Sequence, residues 1–455
     1  MNSDTHVVLY REEPWSRAAD LAGFDYAAGK PARLIAHLEP SHVLGCWSAP
    51  VDLDGDGLPE FVSVQNAAPY DHPAMHKWGY DPAWAEVWCV TAMDREGRTL
   101  WQHGTPWRGR EAFPNHGGAG ILVCDADGDG KPEIVTAHRQ TLFIFGADGA
   151  IRRARRFPDG MVAAIKPFPP SGPSRALLVA LMPMSAFEPL SFVYLDAATL
   201  ENAAEPYATP KDFGAAMSAP LPGGGEGWLM NAWLYDGQGR AVARLPEELF
   251  PDRPGVHADY IDRGDLNGDG CDELVFCVEH ESHCEVLAVD LSFNLLFRRV
   301  MGHAQTACIV PPSSEGPGVV MVTDRGGCRL TGLNAGGTTL WEKGILAYPG
   351  PRIRRGDDTL VCMSPHRSRQ IVPAVMDRWG SVRERFQEML DYPRTPIYSR
   401  YERLATYRSH DLGRYFHAYA CDWNGDGTNE LILNDRQGVW VYAPPDSSPP
   451  PHLSH

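Results

Sequence analysis

The sequence lacks any apolar run long enough to span a membrane, and its first residues lack the basic and then apolar pattern of a secretory signal peptide. Its 10 cysteines show no framework spacing, which argues against a disulfide-stapled scaffold. We therefore expect reduced cysteines in the core and a cytoplasmic protein. A secreted protein is the alternative if a leader is missing from this chain.

Positive charge is also scarce. The 41 Lys and Arg residues face 58 Asp and Glu residues, which gives a formal net charge of −17. Such a chain would repel the phosphates of a nucleic acid. We expect neither a nucleic-acid partner nor a membrane partner, and we predict a monomer. The 45 Gly and 39 Pro residues are typical of an all-β protein that is dense in turns.

A nine-residue motif occurs four times, at residues 52–60, 125–133, 265–273 and 422–430, and its first copy reads DLDGDGLPE. Oxygen-bearing side chains stand at positions 1, 3, 5 and 9, so one short loop can wrap several hard ligands around Ca²⁺. A strand-like run follows each copy, which makes each loop the turn of a β-hairpin. The predicted ligands of four structural Ca²⁺ sites are Asp52, Asp54, Asp56 and Glu60; Asp125, Asp127, Asp129 and Glu133; Asp265, Asn267, Asp269 and Glu273; and Asp422, Asn424, Asp426 and Glu430.

On these four motifs the sequence resembles the FG-GAP/VCBS repeats of calcium-binding β-propellers. The resemblance implies an all-β propeller of four-stranded blades, in which each calcium ion staples a hairpin and does no chemistry. Small polar turns recur about 40 to 54 residues apart, close to the period of one blade. They favour eight blades, with seven as the alternative.

The last repeat unit lacks an outer strand. We predict that the N-terminal strand at residues 7–10 supplies it and so closes the ring, which removes an open sheet edge. One propeller domain is then predicted over residues 1–443. Residues 444–455 are rich in Pro and Ser and are predicted to form a disordered tail.

The candidate site lies on the propeller face opposite the four motifs, which we name the connecting face because the blade-to-blade connections meet there. Each motif forms the turn at one end of its hairpin. The start of the first strand and the end of the second strand therefore lie together at the opposite end. Polar groups that converge on a concave face are the usual pattern of a binding site. The residues collected there are His42, Trp47, Gln65 and Asn66; His116, His138 and Arg139; His257, Glu279 and His280; and His417, Asn434, Asp435 and Arg436.

His116 and His138 flank one hairpin and lie beside Arg139. Neutral imidazoles can act as general base and general acid near pH 7. The structural alternative is that both histidines only hydrogen-bond neighbouring loops.

Two long excursions add Tyr and Arg to the same face, at residues 69–84 and 383–414. Arginine binds carboxylates through two parallel hydrogen bonds, and aromatic rings stack on sugar faces. This composition favours an acidic poly- or oligosaccharide as ligand. The alternative for the second excursion is an amphipathic helix over residues 383–390 that covers the ring closure.

The chain also resembles, more weakly, the propeller-fold ulvan, rhamnogalacturonan and rhamnose–glucuronate lyases, through the His116/His138 pair and the nearby Tyr and Arg residues. That resemblance implies β-elimination next to a uronic acid, with proton transfer by His and Tyr and a cation that neutralises the carboxylate. The catalytic candidates are His116, His138, Arg139, Tyr80 and Arg400. The candidates for substrate binding are Gln65, Asn66, His257, His280, Tyr398, His417 and Arg436.

Three other interpretations stay open. The first is a non-catalytic calcium-stabilised binding or scaffold propeller, because fold does not fix function. The second is glycoside hydrolysis by Glu279 and Asp435, which is less favoured because the other conspicuous carboxylates are assigned to Ca²⁺. The third is a zinc site, for which the ligand types are right but the spacing is tight. Its ligands would be Cys277, His280, His283 and Cys284.

Overall fold

The computed structural model describes residues 23–38, 47–66, 87–107, 120–168, 176–183, 191–204, 206–208, 215–253, 255–280, 283–365, 373–391, 417–434 and 438–447. These residues form eight β-sheets, a 3₁₀ turn at Tyr26–Ala28 and a short helix, α1, at Gln387–Asp391. Each sheet is one blade of a β-propeller, so the predicted all-β fold and the count of eight blades are confirmed.

The strands are numbered in chain order. Two N-terminal strands, β1 (Lys30–Pro31) and β2 (Arg33–Leu38), join the last two blades. Blade 1 contains β3 (Trp47–Val51), β4 (Glu60–Asn66), β5 (Trp88–Met93) and β6 (Thr99–Thr105). Blade 2 contains β7 (Ile121–Cys124), β8 (Glu133–His138), β9 (Thr141–Phe145) and β10 (Ile151–Arg156). Blade 3 contains β11 (Gly160–Phe168), β12 (Ala176–Pro183), β13 (Ser191–Asp196) and β14 (Tyr207–Ala208).

The remaining blades repeat this order. Blade 4 contains β15 (Ala216–Pro220), β16 (Glu226–Met230), β17 (Trp233–Tyr235) and β18 (Ala241–Arg244). Blade 5 contains β19 (His257–Gly264), β20 (Glu273–Glu279), β21 (Cys284–Asp290) and β22 (Leu295–Met301). Blade 6 contains β23 (Ala304–Val310), β24 (Val319–Asp324), β25 (Arg329–Leu333) and β26 (Thr339–Lys343). Blade 7 contains β27 (Ala347–Arg355), β28 (Asp358–Pro365), β29 (Ala374–Met376) and β30 (Val382–Arg385), and blade 8 contains β31 (His417–Cys421), β32 (Glu430–Asn434) and β33 (Val439–Ala443).

The hydrophobic core is divided into eight layers, one between each pair of neighbouring blades. Strand β20 shows how the sequence builds them. Leu274 and Phe276 pack toward blade 4, while Val275 and Cys277 pack toward blade 6. Successive side chains of a strand point to opposite faces of its sheet, so a continuous apolar run can serve two layers.

The ring is closed by β2, which pairs antiparallel with β33 as the outer strand of blade 8. Closure by an N-terminal strand is therefore confirmed, but the predicted strand at residues 7–10 is corrected to Arg33–Leu38, and residues 7–10 lie outside the described residues. The reason is geometric. Strand β1 runs parallel to β30 on the edge of blade 7, and Ala32 N donates to Arg385 O at 2.8 Å, which delivers the next residues to blade 8.

The turns between the third and fourth strands of blades 1, 4, 5, 6 and 7 use one recurring hydrogen-bond pattern. In blade 1 the carboxylate Oδ1 of Asp94 accepts from the amides of Glu96 and Arg98 at 3.0 and 2.8 Å. Gly97 takes the left-handed conformation that follows in this turn, with φ of 80°. Equivalent residues to Asp94 are Asp236, Asp290, Asn334 and Asp377. The predicted spacing of polar turns therefore marks the blades.

The structure also bears on three smaller predictions, which concern a helix, the C-terminal tail and the cysteines. The helix predicted over residues 383–390 is shorter, because Arg383 belongs to β30 and α1 begins at Gln387. The first residues of the predicted tail contact the N-terminal strands, since Lys30 Nζ lies 2.8 Å from Asp446 Oδ2. All cysteines in the described ranges are free thiols. No helix among the described residues combines the length and hydropathy needed to cross a membrane.

Candidate functional site

The four motif loops join the first and second strands of blades 1, 2, 5 and 8, and they share one geometry. In blade 1 the two carboxylate oxygens of Asp52 accept from the amides of Gly55 and Gly57 at 2.7 and 2.9 Å. Both glycines have positive φ and open space around them, so the loop can curl without steric cost. The same pair of bonds recurs at Asp125, Asp265 and Asp422.

The glutamate at position 9 closes each loop from beneath. Glu60 is buried and its Oε2 accepts from the amide of Leu53 at 2.8 Å. Burial and the neighbouring aspartates raise the pKa of each such glutamate, to about 7 for Glu430. A buried carboxylate among other carboxylates costs free energy unless a cation compensates it.

The loops fall into two chemical kinds. In blades 1 and 2 the ligand atoms of three carboxylates lie within 4.8 Å of one another, in the sets Asp52, Asp54 and Glu60 and Asp125, Asp127 and Glu133. In blades 5 and 8 an asparagine replaces the aspartate at position 3, and Asn267 Nδ2 donates to Glu273 Oε1 at 2.8 Å. All four loops present hard oxygen donors of the kind Ca²⁺ prefers, with one negative charge fewer in the second kind.

On the connecting face, several of the predicted residues form hydrogen bonds that stabilise the fold. Gln65 accepts from the amide of Trp107 at 2.8 Å, and Asn66 donates to Ala137 O at 2.5 Å. His280 is buried, with Nε2 2.6 Å from Glu285 Oε1. Asn434 is buried and donates to Ser48 Oγ at 2.7 Å. These side chains join neighbouring strands and blades, and we leave them out of the proposed site.

Seven predicted residues lie outside the described residues: His42, Tyr80, His116, Tyr398, Arg400, Asp435 and Arg436. His417 begins β31 and stands opposite Asn434 in the strand register.

An aromatic cluster surrounds His138 at the end of β8. Its ring stacks on that of Trp88 from blade 1, with centroids 5.6 Å apart and an interplanar angle of 28°. Phe143 stacks on the same indole at 4.7 Å. Arg139 occupies the tight turn that follows, in the left-handed conformation with φ of 52°. The structure thus places a half-buried imidazole against a half-buried indole at the junction of blades 1 and 2, and Arg139 is the next residue of the chain after His138.

A second cluster lies at the junction of blades 5 and 6. His257 Nε2 is 3.3 Å from Asp259 Oδ1 and 3.7 Å from Glu279 Oε2. His303 Nε2 is 3.5 Å from Asp259 Oδ2 and 4.0 Å from Glu279 Oε2. The carboxylate of Asp259 raises the pKa of His303 to about 10. Burial raises the pKa of Asp259, but the two histidines outweigh it and the net shift is downward.

The sequence interpretation missed half of this second cluster. The sequence pattern places His257 and Glu279 on the connecting face, whereas Asp259 lies inside strand β19 and His303 precedes a blade without a motif loop. The available signal was a histidine just before a first strand, which His303 shares with the motif-bearing blades. The predicted zinc set does not assemble: Cys277 packs in the core between blades 5 and 6, and His280 bonds Glu285.

The chain matches no protein-family profile and no curated protein sequence. Its fold is similar to that of a rhamnogalacturonan lyase, YesW, with a TM-score of 0.54 and 12% identity over 91% of this chain and 75% of that one. It is also similar to BamB from Moraxella catarrhalis, with a TM-score of 0.48 and 13% identity over 92% and 99%. The V. cholerae biofilm matrix protein Bap1 gives a TM-score of 0.49 and 11% identity over 93% and 90%. Identities this low show the fold alone.

Proposed function

We propose that the protein is a carbohydrate-active enzyme that cleaves an acidic poly- or oligosaccharide next to a uronic acid by β-elimination. The observation that carries this proposal is the stacking of His138 on Trp88 beside Arg139 on the connecting face. An indole platform binds the apolar face of a sugar ring, and a guanidinium binds its carboxylate. The fold shared with a rhamnogalacturonan lyase agrees with this class of substrate.

The chemistry assigns each group a task. Arg139 would neutralise the uronate carboxylate, which makes the proton on the adjacent carbon acidic enough to remove. His138 would take that proton as general base in its neutral form. The departing glycosidic oxygen needs a proton donor, and His116, Tyr80 and Arg400 remain proposed members of the site.

The motif loops fit a structural role for Ca²⁺ in this proposal. Their carboxylates converge on the face opposite to His138, at the other end of the hairpin that carries it. Ions held there would fix the hairpins that position the connecting face and would contact no substrate.

The test is to incubate the purified protein with uronic-acid polysaccharides, and with neutral glycans of similar length as controls. β-Elimination creates an unsaturated uronate that absorbs ultraviolet light, which hydrolysis does not. Product from at least one acidic glycan supports the proposal. Binding of an acidic glycan without product identifies the alternative, a calcium-stabilised binding propeller. Cleavage without ultraviolet absorbance would indicate hydrolysis and would refute the lyase assignment.

A further inference from the structure

Three side chains at the junction of blades 5 and 6, those of His257, Asp259 and Glu279, offer ligand atoms that all lie within 4.8 Å of one another, and His303 lies beside them. Two come from β19: His257 is its first residue, and Asp259 is the extra residue of a bulge between Ala258 and Tyr260. Glu279 ends β20 opposite His257 in the register. A bulge re-aims a side chain. His303 comes from the connection into blade 6, where its amide donates to Asp324 Oδ1 at 2.8 Å.

The spacing of the four groups differs from that of paired ions. The four nitrogen-to-oxygen distances run from 3.3 to 4.0 Å. Direct hydrogen bonds between a charged nitrogen and a carboxylate are about 2.7–2.9 Å long. The same blade contains a direct pair for comparison, since His280 Nε2 lies 2.6 Å from Glu285 Oε1. Ligands at tetrahedral bond lengths of about 2.0–2.2 Å stand about 3.3–3.6 Å apart. The 3.3 Å from His257 to Asp259 matches this spacing, and the 3.7 Å from His257 to Glu279 is slightly longer.

One carboxylate oxygen of the cluster also accepts no hydrogen bond from any described residue. Oδ2 of Asp259 is buried and has no hydrogen-bond partner within the described ranges, although it lies 3.5 Å from His303 Nε2. A buried acceptor of this kind calls for an explanation, and a bound cation is one of the standard ones. The side chains of the cluster keep 14–30% of their surface exposed, so an ion and a ligand can reach them from solvent.

We propose that His257, Asp259 and Glu279 bind one divalent transition-metal ion of the Zn²⁺ class, with His303 beside the site. One imidazole and two carboxylates are a donor set that such ions accept, with a fourth position left open, whereas Ca²⁺ prefers oxygen ligands alone. This site is independent of the four motif loops and of the proposed lyase activity. Gln305 Oε1 accepts from Arg325 Nη1 at 3.2 Å and lies 3.1 Å from His303 Nε2, so this nitrogen of His303 carries a proton and acts as a hydrogen-bond donor beside the site.

The experiment titrates the metal-stripped full chain with Zn²⁺ in an excess of Ca²⁺, which saturates the motif loops. We expect one Zn²⁺ per chain, and with Co²⁺ we expect the visible absorption of a tetrahedral site. His257→Ala and Glu279→Gln should each weaken binding more than about 100-fold, because loss of an outer-shell partner alone costs about 10–100-fold. Far-ultraviolet circular dichroism and melting in Ca²⁺ check that each variant is folded.

The matched control is His283→Ala. His283 lies in the same blade and belongs to the neighbouring group of His280 and Glu285, whose ligand atoms also converge. This variant should bind Zn²⁺ as the parent does. Loss of Zn²⁺ in His283→Ala with retention in a folded His257→Ala or Glu279→Gln would overturn the proposal, as would an unaltered chain that binds no Zn²⁺ and no Co²⁺.

Discussion

Arg352 of blade 7 reaches across a whole blade to Asp262 of blade 5, with Nη2 2.9 Å from Oδ1. Its Nη1 donates to Ile309 O of blade 6 at 2.9 Å, and Ile309 N donates to Asp262 Oδ2 at 2.7 Å. One guanidinium and one buried carboxylate therefore tie three consecutive blades together.

Replacing Arg352 with Leu should destabilise the protein, because Asp262 would remain buried without its charge partner. Breaking a fully buried pair costs about 3–5 kcal/mol. The side chain of Arg352 is 36% exposed, so we expect roughly 2–3 kcal/mol by urea unfolding. The double variant with Asp262→Asn should recover part of the loss, since Asn has no charge to strand. Equal stability of the single variant and the parent would contradict this role.

Removing Ca²⁺ with a chelator should lower the melting temperature, because an ion bound only by the folded state contributes its binding free energy to stability. Asp127→Ala should reproduce a fraction of that shift, since it disables one loop of four. Calorimetry with and without chelator gives the measurement. A melting temperature indifferent to chelator would show that the motif loops hold no ion.

The two kinds of loop should differ in calcium affinity. At ligand positions 1, 3, 5 and 9 the loops of blades 1 and 2 carry one more carboxylate than those of blades 5 and 8, and ligand charge tunes affinity in oxygen-donor sites. Asp54→Asn should convert the loop of blade 1 to the weaker kind, and Asn267→Asp should strengthen the loop of blade 5. Calorimetric titration of Ca²⁺ should resolve the reciprocal shifts. Shifts in the same direction would contradict the charge argument.

His138→Ala should lower turnover of an acidic glycan by about 10²–10⁴-fold, the usual contribution of a general base. Binding of the glycan should change little if Arg139 and Trp88 remain. Arg139→Ala should instead weaken the affinity for charged glycans. His283→Ala serves as the control, because it lies in blade 5 and outside the proposed catalytic group. Full elimination activity in a folded His138→Ala variant would place the chemistry elsewhere.

Acid should destabilise the protein through its polar turns. Burial opposes ionisation of Asp94, Asp236 and Asp290, but the hydrogen bonds that they accept outweigh it and lower the pKa of each carboxylate. A lowered folded pKa stabilises above the unfolded value of about 3.9 and is lost as pH falls through the folded value. Asn334 builds the same turn without titrating. Asp236→Asn should therefore flatten the decline in melting temperature below about pH 4, and an unchanged decline would refute this assignment.

The blade number and the ring closure could be read from the sequence, because both depend on local patterns that repeat. The identity of the closing strand could not. Residues 7–10 and Arg33–Leu38 both have strand-like composition, and the choice depends on β1 docking against β30 far along the chain. The side-chain cluster at the junction of blades 5 and 6 could not be predicted from the sequence either. Asp259 owes its position to a bulge, and a histidine just before the first strand of blade 6 does not by itself predict that His303 lies beside Asp259.

Strand β2 can pair only after 410 further residues have been synthesised, since Arg33 stands opposite Ala443 (443 − 33 = 410). Translation adds about 5–20 residues per second, so this segment waits for tens of seconds without its partner. During that time β33, the pairing partner of β2, has not been synthesised. Leu38 then lacks part of the hydrophobic layer in which it is buried in the closed ring. Pairings so distant in sequence also form slowly. Until β2 pairs with β33, its unpaired backbone is accessible to chaperones and proteases. Closure of the ring therefore competes with binding or cleavage of this short segment.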